Sequence, residues 1–489
     1  MRSAIEFVLN GEIRRVAPAE PTMTVLRYLR EVERLVGTKE GCAEGDCGAC
    51  TAVVATPENG SLRYQAINTC ICFLGMLDGK ALITVEYLAT GEGLHPAQEG
   101  FIHNHATQCG FCTPGFVMSL FAACHDDCAG NRQSIDTILA GNLCRCTGYT
   151  PIINAAAQVL QDKNRRRPFA ARAQGIADLL GKIAKGDGLT LSGNGSSYIA
   201  PPTKAALAKV LLRYPRATLL AGGTDVGLFV TKQHRTIETL VDLGKIRELR
   251  RISRSRQGLR LGAAVSYADA CVDLVKLHPE LATLINRLGS VQVRNLGTIG
   301  GNIANGSPIG DMPPALIALD ARLRLQRGSE YREIALEDYF VEYGRQNRRR
   351  SEFVESILIP ATRPGSFFRV YKISKRFDQD ISSVCGAFHF AFDKKSRKIA
   401  SARICFGGMA GTPVRARACE RFLTGKSWDK EVIAEASDIL QTEFDPISDW
   451  RASAGYRQKV GGNLLQRCFL ESKAERPLQL ADREAAIHA

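Results

Sequence analysis

Apolar and polar positions alternate along residues 4–16, on either side of Asn10-Gly11. A period of two predicts strands, and Asn-Gly between two such runs predicts a tight hairpin. The run from Thr24 to Val32 has helical spacing and predicts a short amphipathic helix. A Gly- and Cys-rich loop at 41–50 leads into an apolar strand, Thr51 to Ala55, and this first α/β unit is expected to end near residue 88.

From about 94 to 162 the spacing turns helical. Thr113 before Pro114 reads as an N-cap followed by proline at the first helical position, opening a helix through Val117, Leu120 and Phe121. Ser134 is expected to cap a second helix, and Pro151 to open another through Ile152, Ala156 and Leu160. Residues 163–197 read as a linker with an Ala-rich helix near 170–185 and glycine turns at 186–188 and 193–196. An α/β pattern follows to about 363, and a last segment mixes strands such as Ala387 to Phe392 with two helices. The expected division is therefore 1–88, 89–162, 163–197, 198–363, 366–475 and a tail, 476–489.

Composition changes this picture in one respect. Among 489 residues, 45% apolar and 23% charged is ordinary for a globular protein and argues against disorder. Cysteine is the unusual residue: there are 16, and positions 42, 47, 50, 70, 72, 109, 112, 124, 128, 144 and 146 all fall in the first 150 residues. A secreted disulfide scaffold is short and evenly studded, so the first third is read as metal-binding. The net charge of +14 is spread through the chain, with two short Arg runs at 165–167 and 348–350 and no nucleic-acid motif, so no nucleic-acid partner is expected. The longest stretch without Asp, Glu, Lys or Arg, 100–125, holds His, Asn, Gln and Pro-Gly and is no membrane span. Nothing at the N-terminus has the apolar core of a signal peptide, so the expected location is cytoplasmic, with no membrane partner.

Cys42-x4-Cys47-x2-Cys50 with a distant fourth cysteine is the plant-type [2Fe–2S] spacing. Gly41, Gly45 and Gly48 allow the tight turns that wrap a compact cluster and aim N–H groups at its sulfurs. A zinc knuckle favours paired C-x2–4-C units, and only one is present here. Cys70 and Cys72 compete for the fourth place; on an extended segment they point to opposite faces, and spacing alone does not choose. The second set is Cys109-x2-Cys112 with Cys144-x-Cys146, each pair just before a predicted helix start, where N–H groups favour negative charge. Zinc remains an alternative there. Cys124 and Cys128 read as buried or idle thiols, and His95, His103 and His105 as structural, because four cysteines complete each set.

Two glycine-rich loops mark the second half, Leu219 to Gly227 and Arg294 to Asp311. Neither is G-x-G-x-x-G, so a Rossmann site is not supported, but successive Gly, Thr and Asn suit a nest of N–H groups around a pyrophosphate.

The motifs GCAEGDCGACTAVV, INTC, QCGFCTPGF, NLCRCTGY, LLAGGTDVGLFVTK, RNLGTIGGNIANGSPIGD and YKISKRFDQDIS follow in order over about residues 4–470. In this the chain resembles the small, iron–sulfur and flavin subunits of bacterial two-subunit xanthine dehydrogenases, within the molybdenum hydroxylase family. The resemblance implies an α+β multidomain fold: a β-grasp plant-type ferredoxin domain, a four-helix [2Fe–2S] domain, an FAD-binding α+β domain of the vanillyl-alcohol-oxidase type and a C-terminal α/β flavoprotein domain. It implies two [2Fe–2S] clusters, held by Cys42, Cys47, Cys50 and Cys70 and by Cys109, Cys112, Cys144 and Cys146. Implied FAD contacts are Leu219, Leu220, Ala221, Gly222, Gly223, Thr224, Asp225, Val226, Thr298, Ile299, Gly300, Gly301, Asn302, Asn305, Asp311 and Lys372, with Leu288 and Val354 by position. It further implies NAD⁺ as acceptor, with Tyr343 beside the nicotinamide and Asp225 close by, whereas Gln379 stands where the animal enzymes carry an acidic residue. No side chain is implied as an acid–base catalyst. The family's molybdenum domain has no counterpart here, so a large molybdenum-cofactor partner subunit is implied, in a heterotetramer of two small and two large chains. The implied activity is electron transfer from that molybdenum site through both clusters to FAD and NAD⁺, during oxidation of hypoxanthine and xanthine to urate. The alternative is the equivalent subunit of a relative acting on aldehydes or other N-heterocycles, or with another acceptor.

Overall fold

The computed structural model describes residues 2–474 apart from 18, 90, 92, 127–129, 184, 185, 363 and 397. The expected tail, 476–489, and Cys128 lie outside the described residues. The fold is α+β and multidomain. Two compact units divide it: residues 1–250 with 266–268 and 289–298, and the remainder. The stretch 198–363 is thus shared between the units, a division the sequence pattern did not suggest.

The first unit is built on a five-stranded sheet in the order Glu12–Val16, Ile5–Leu9, Ala81–Ile83, Thr51–Glu58, Ser61–Asn68. The expected hairpin is present, with Asn10 (φ 50°) and Gly11 (φ 81°) both left-handed, as a two-residue turn of matching twist requires. Ile5–Leu9 pairs in parallel with Ala81–Ile83, a contact between segments far apart in sequence. Alternate residues of Thr51–Glu58 face opposite ways. Val53 and Ala55 join a core with Phe116, Leu120, Phe121 and Phe169. Ala52 and Val54 join another with Phe7, Tyr198 and Leu240. The sheet is therefore buried on both faces.

Four helices, Pro96–His103, Thr113–Cys124, Arg132–Leu139 and Thr150–Gln161, supply much of the first of these cores. Two expected caps are corrected. Cys112 occupies the N-cap before Thr113, without a side-chain cap bond, while the Thr113 hydroxyl pairs with Thr107 at 2.7 Å. Asn131 caps the next helix by accepting from the Ser134 amide at 2.9 Å, so Ser134 is the capped residue and not the cap. The Thr24–Val32 run begins as a helix capped by Thr24 but continues as a wider π turn over Tyr28–Val32. Against the second core face lies a four-stranded sheet, Leu189–Gly193, Ser196–Ala200, Thr239–Asp242 and Thr218–Leu220, its last three strands parallel.

The second unit holds an antiparallel sheet in the order Ile252–Ser255, Gly258–Gly262, Phe353–Pro360, Arg322–Arg327, Glu330–Ala335. It also holds a four-stranded antiparallel sheet, Ser366–Ile373, Val384–Phe392, Ile399–Gly407 and Val414–Arg415. Three helices pack on the latter, Arg417–Leu423, Lys430–Glu443 and Ala454–Lys473, where two were expected. The shortest has only seven residues, too few for its periodicity to stand out in the sequence. No helix among the described residues is long and apolar enough to cross a membrane.

Candidate redox sites

The 41–50 loop has no regular structure and is shaped by its glycines. Gly45 (φ 83°) and Gly48 (φ 70°) take left-handed conformations, and a Cβ on Gly41 would lie 2.8 Å from Cys47 Sγ. The result is the expected nest: the Glu44 and Cys47 amides each donate to Cys42 Sγ at 3.4 Å. With the Cys47 thiol as the leading hydrogen-bond donor, these pull the Cys42 thiol down to about 5. Cys50 and Cys70 are buried with their sulfurs 3.3 Å apart.

Cys70 and Cys72 do not lie on an extended segment. Residues 69–71 form a turn, closed by the Ile71 amide on Asn68 O at 3.4 Å. The two side chains diverge all the same. Cys70 faces the cysteine loop, while Cys72 Sγ lies 3.9 Å from Met76 Sδ in the apolar core, where burial pushes its thiol up to about 12.

The second set occupies two loops. Cys112 directly precedes the Thr113–Cys124 helix, and Cys144 and Cys146 lie just before Thr150–Gln161. Cys109 and Cys146 are exposed, with sulfurs 3.6 Å apart. Cys112 hydrogen-bonds Cys144, and burial foremost pushes the Cys112 thiol up to about 12. Burial opposes ionisation of Cys144, but the Thr147 hydroxyl at 3.2 Å and the Thr147 and Cys146 amides outweigh it and hold that thiol below its ordinary value.

Both sets thus bring sulfurs together in pairs. No group of three His, Cys, Asp or Glu side chains among the described residues is gathered to hold a single ion. A tetrahedral zinc at about 2.3 Å from each sulfur draws all four together. Two pairs suit a cluster of two irons that takes two thiolates at each. Of the remaining candidates, Cys124 is buried in the helical core. His95 caps the Pro96–His103 helix by accepting from the Ala97 amide at 3.1 Å, and His103 and His105 are exposed.

The loops touch. Leu143 N donates to Cys47 O at 2.9 Å, and Asn142 Nδ2 to Gly48 O at 3.0 Å. On its other side the first set meets the Leu219–Val226 loop. A Cβ on Gly223 would lie 3.3 Å, and one on Gly227 2.6 Å, from the carbonyl oxygen of Ile71, the residue after Cys70. Leu228 packs on Cys50, Cys70 and Ile71, and Lys232 Nζ donates to Cys42 O at 3.2 Å. Gly222 (φ 88°) sits where a Cβ would be 1.8 Å from Leu296 O, and Thr298 Oγ1 donates to Ala221 O at 3.4 Å. Asp225 is exposed at the start of the Val226–Thr231 helix.

In the second unit the Ile299–Asn305 helix lies so close to Ala263 that a Cβ on Gly300 would be 2.5 Å from its carbonyl oxygen. Asn302 Oδ1 is buried without a partner, an acceptor open to a ligand N–H. Lys372 is a buried residue of the Ser366–Ile373 strand. Its ammonium lies 2.6 Å from Asp311 and 2.9 Å from Ser382 Oγ, which itself donates to Asp311 at 2.5 Å. Val354 is buried in Phe353–Pro360, Leu288 is partly buried and Asn305 is exposed. Tyr343 is 75% exposed, between Phe340–Glu342 and Arg345–Gln346. Sequence reading missed Ser382 and Asn142, whose roles depend on partners distant in the chain.

Four family models match in succession: a 2Fe-2S iron-sulfur cluster binding domain at 7–75, a [2Fe-2S] binding domain at 84–157, the FAD binding domain in molybdopterin dehydrogenase at 193–362 and the CO dehydrogenase flavoprotein C-terminal domain at 369–472. Xanthine dehydrogenase 1 of Arabidopsis thaliana is 31% identical over 89% of this chain and 37% of its own length. The xanthine dehydrogenase of Blastobotrys adeninivorans is 31% identical over 93% of this chain and 40% of its own length. The chain therefore spans about two fifths of these relatives. Among solved structures, CO dehydrogenase from Oligotropha carboxidovorans is 27% identical with a TM-score of 0.52, covering 57% of this chain and 96% of its own. Quinoline 2-oxidoreductase from Pseudomonas putida 86 is 25% identical with a TM-score of 0.52, covering 57% of this chain and 98% of its own. With two [2Fe–2S] domains, an FAD-binding domain and the flavoprotein C-terminal domain in one chain, this protein belongs to the molybdenum hydroxylase family as an iron–sulfur and flavin member.

Proposed function

We propose that this chain is the electron-transfer subunit of a cytoplasmic xanthine dehydrogenase. In this reading it takes electrons from a molybdenum site on a large partner subunit and delivers them to NAD⁺ while hypoxanthine and xanthine become urate. One observation carries the reading: the Cys42–Cys70 set lies between the second cysteine set, through Leu143 and Cys47, and the Leu219–Val226 loop, through Ile71 and Gly223. That order is a relay. The clusters, when bound, exchange single electrons, and FAD collects them singly and releases two together.

The chain's residues then place and tune. Cys42, Cys47, Cys50 and Cys70 hold the inner cluster, and the amides of Glu44 and Cys47 favour its negative charge. Cys109, Cys112, Cys144 and Cys146 hold the outer one, with Cys109 and Cys146 at the surface where a partner docks. The loop residues Leu219 to Val226 and Thr298 to Asn302 hold the FAD, together with Leu288, Asn305, Asp311, Val354 and Lys372. Asn302 Oδ1 supplies a free acceptor, and the Asp311–Ser382 pair fixes the Lys372 ammonium. Tyr343 and Asp225, both exposed, are offered to NAD⁺. The proposed assembly is a heterotetramer of two small and two large chains.

The matches to CO dehydrogenase and quinoline 2-oxidoreductase favour a second reading, in which the same relay serves another molybdenum hydroxylase. Co-purification of the untagged complex, with metal and flavin analysis and turnover of xanthine with NAD⁺, decides between them. Bound flavin, about four irons per chain, following from two [2Fe–2S] clusters, and xanthine-dependent NADH formation are expected. Activity on aldehydes or quinolines alone rejects the purine assignment, and a colourless zinc protein rejects both.

A further inference from the structure

Three glycines from three segments meet where the two cysteine loops touch. A Cβ on Gly48 would lie 2.1 Å from Gly141 O, one on Gly115 2.3 Å from Gly48 O, and one on Gly141 2.1 Å from Gln292 Oε1. A side-chain carbon fits at none of the three without a shift, so the loops approach closely here. Into it comes a residue from neither loop. Gln292 is fully buried on the Val291–Leu296 helix, 142 positions beyond Thr150.

Its amide nitrogen lies 3.2 Å from Thr51 Oγ1, 3.1 Å from Ser119 Oγ and 3.2 Å from Asn142 Oδ1. The surrounding protons are already committed. The Thr51 hydroxyl donates to Gly48 O at 2.7 Å, and the Ser119 hydroxyl to Asn142 Oδ1 at 2.6 Å. All three oxygens therefore face the two N–H protons of the glutamine as acceptors, Thr51 Oγ1 accepting also from Asn142 Nδ2 at 3.3 Å. Each belongs to a cysteine segment: Thr51 follows Cys50, Asn142 precedes Cys144 by two residues, and Ser119 is on the helix that starts after Cys112. The glutamine's own segment is pinned, with Asn295 Nδ2 donating to Ala66 O at 2.9 Å and Leu296 O against Gly222. Gln292 Oε1 is buried without a partner. A leucine of similar length avoids that cost, so what this side chain contributes is its N–H pair.

We propose that Gln292 is a positioning residue that fixes the gap between the two clusters and ties that gap to the segment leading to Thr298. The proposal rests on the reading of the cysteine sets as [2Fe–2S] clusters. Electron exchange between two centres falls steeply with their separation, so a residue bonded to both loops governs that step without touching either cluster.

The test uses the full chain with its clusters loaded. Gln292→Glu keeps the shape but carries no N–H, Gln292→Leu removes all polarity, and Tyr198→Phe deletes one buried bond, Tyr198 to Asp242, that is not part of the Gln292 network. Electron paramagnetic resonance of the reduced protein and redox titration read the spin–spin splitting and both midpoint potentials. The parent spectrum reports on the cluster reading, and the difference between variant and parent reports on Gln292. Altered splitting and a shifted midpoint in Gln292→Glu, or loss of one cluster's signal, with Tyr198→Phe unchanged, is the expected result. Where Gln292→Leu fails to fold, Gln292→Glu alone decides. Spectra and potentials of Gln292→Glu that superimpose on the parent, or an equal change in Tyr198→Phe, overturn the proposal.

Discussion

The two cysteine loops answer the same chemical demand in opposite settings. The first is wedged between a sheet and the Leu219–Val226 loop, with Cys50 and Cys70 buried. The second stands at helix starts with Cys109 and Cys146 exposed. A buried thiolate set is shielded from water and from oxidants. An exposed set is open to whatever docks on it. An inner centre and an outer one suits the relay proposed above, and the difference teaches that burial distinguishes the two sets.

The largest effect comes from breaking the inner set alone. Cys70→Ser is expected to remove about half the iron, whereas Cys72→Ser, two residues on, keeps the full iron content; metal analysis checks both. The Cys72 substitution should still cost about 1–3 kcal/mol, because it places a hydroxyl in an apolar core where the thiol reaches Phe73 O only at 3.8 Å. Gly48→Ala strikes both sets together. It forces a side chain into a left-handed residue, at about 1–2 kcal/mol, and into Gly141 O at 2.1 Å, so thermal melts should fall further than the backbone penalty alone predicts.

Chemical access sharpens the contrast next. After chelation strips the metal, iodoacetamide should label Cys109 and Cys146 first and Cys50 and Cys70 last, as peptide mapping over time will show; uniform labelling contradicts the inner and outer assignment.

The last effect is one of pH. Burial pushes the His95 imidazole down to about 4 and the His125 imidazole down to about 3, in the aromatic core around Phe121 and Phe169. In the unfolded chain both take a proton near 6.5. Between that value and the folded values the unfolded chain binds more protons, so their contribution to stability is complete above about 6.5 and is lost as pH falls towards 4 and then 3. Melting temperatures taken from pH 7 to pH 4 should fall, and less steeply in His125→Gln.

What the sequence made legible was local. Asn10-Gly11 and the prolines at 114 and 151 each act within a few residues, and each produces the expected element. The caps failed by a residue or more because several polar residues near a helix start compete for the role and only the turn geometry chooses between Cys112 and Thr113. The parallel pairing of Ile5–Leu9 with Ala81–Ile83, the burial of Lys372 and the meeting of Gln292 with Thr51 were illegible, because each depends on a partner 61 or more positions away. In the sites, the four-cysteine sets could be counted from spacing. The separation of Cys70 from Cys72 needed the turn at 69–71.

The place of Gln292 also bears on how the protein is made. Every cysteine of both sets has been synthesised by residue 146, yet the side chain that fills the space between their loops is still 146 residues from synthesis. Domains fold as units during translation, N-terminal parts first. Here the junction between the first two stays without its wedge until the chain has passed the 289–298 segment. On the proposal for Gln292, the nascent chain carries both sets of thiols through a long interval before their spacing is set, and the mature arrangement of the pair is reached only after most of the polypeptide exists.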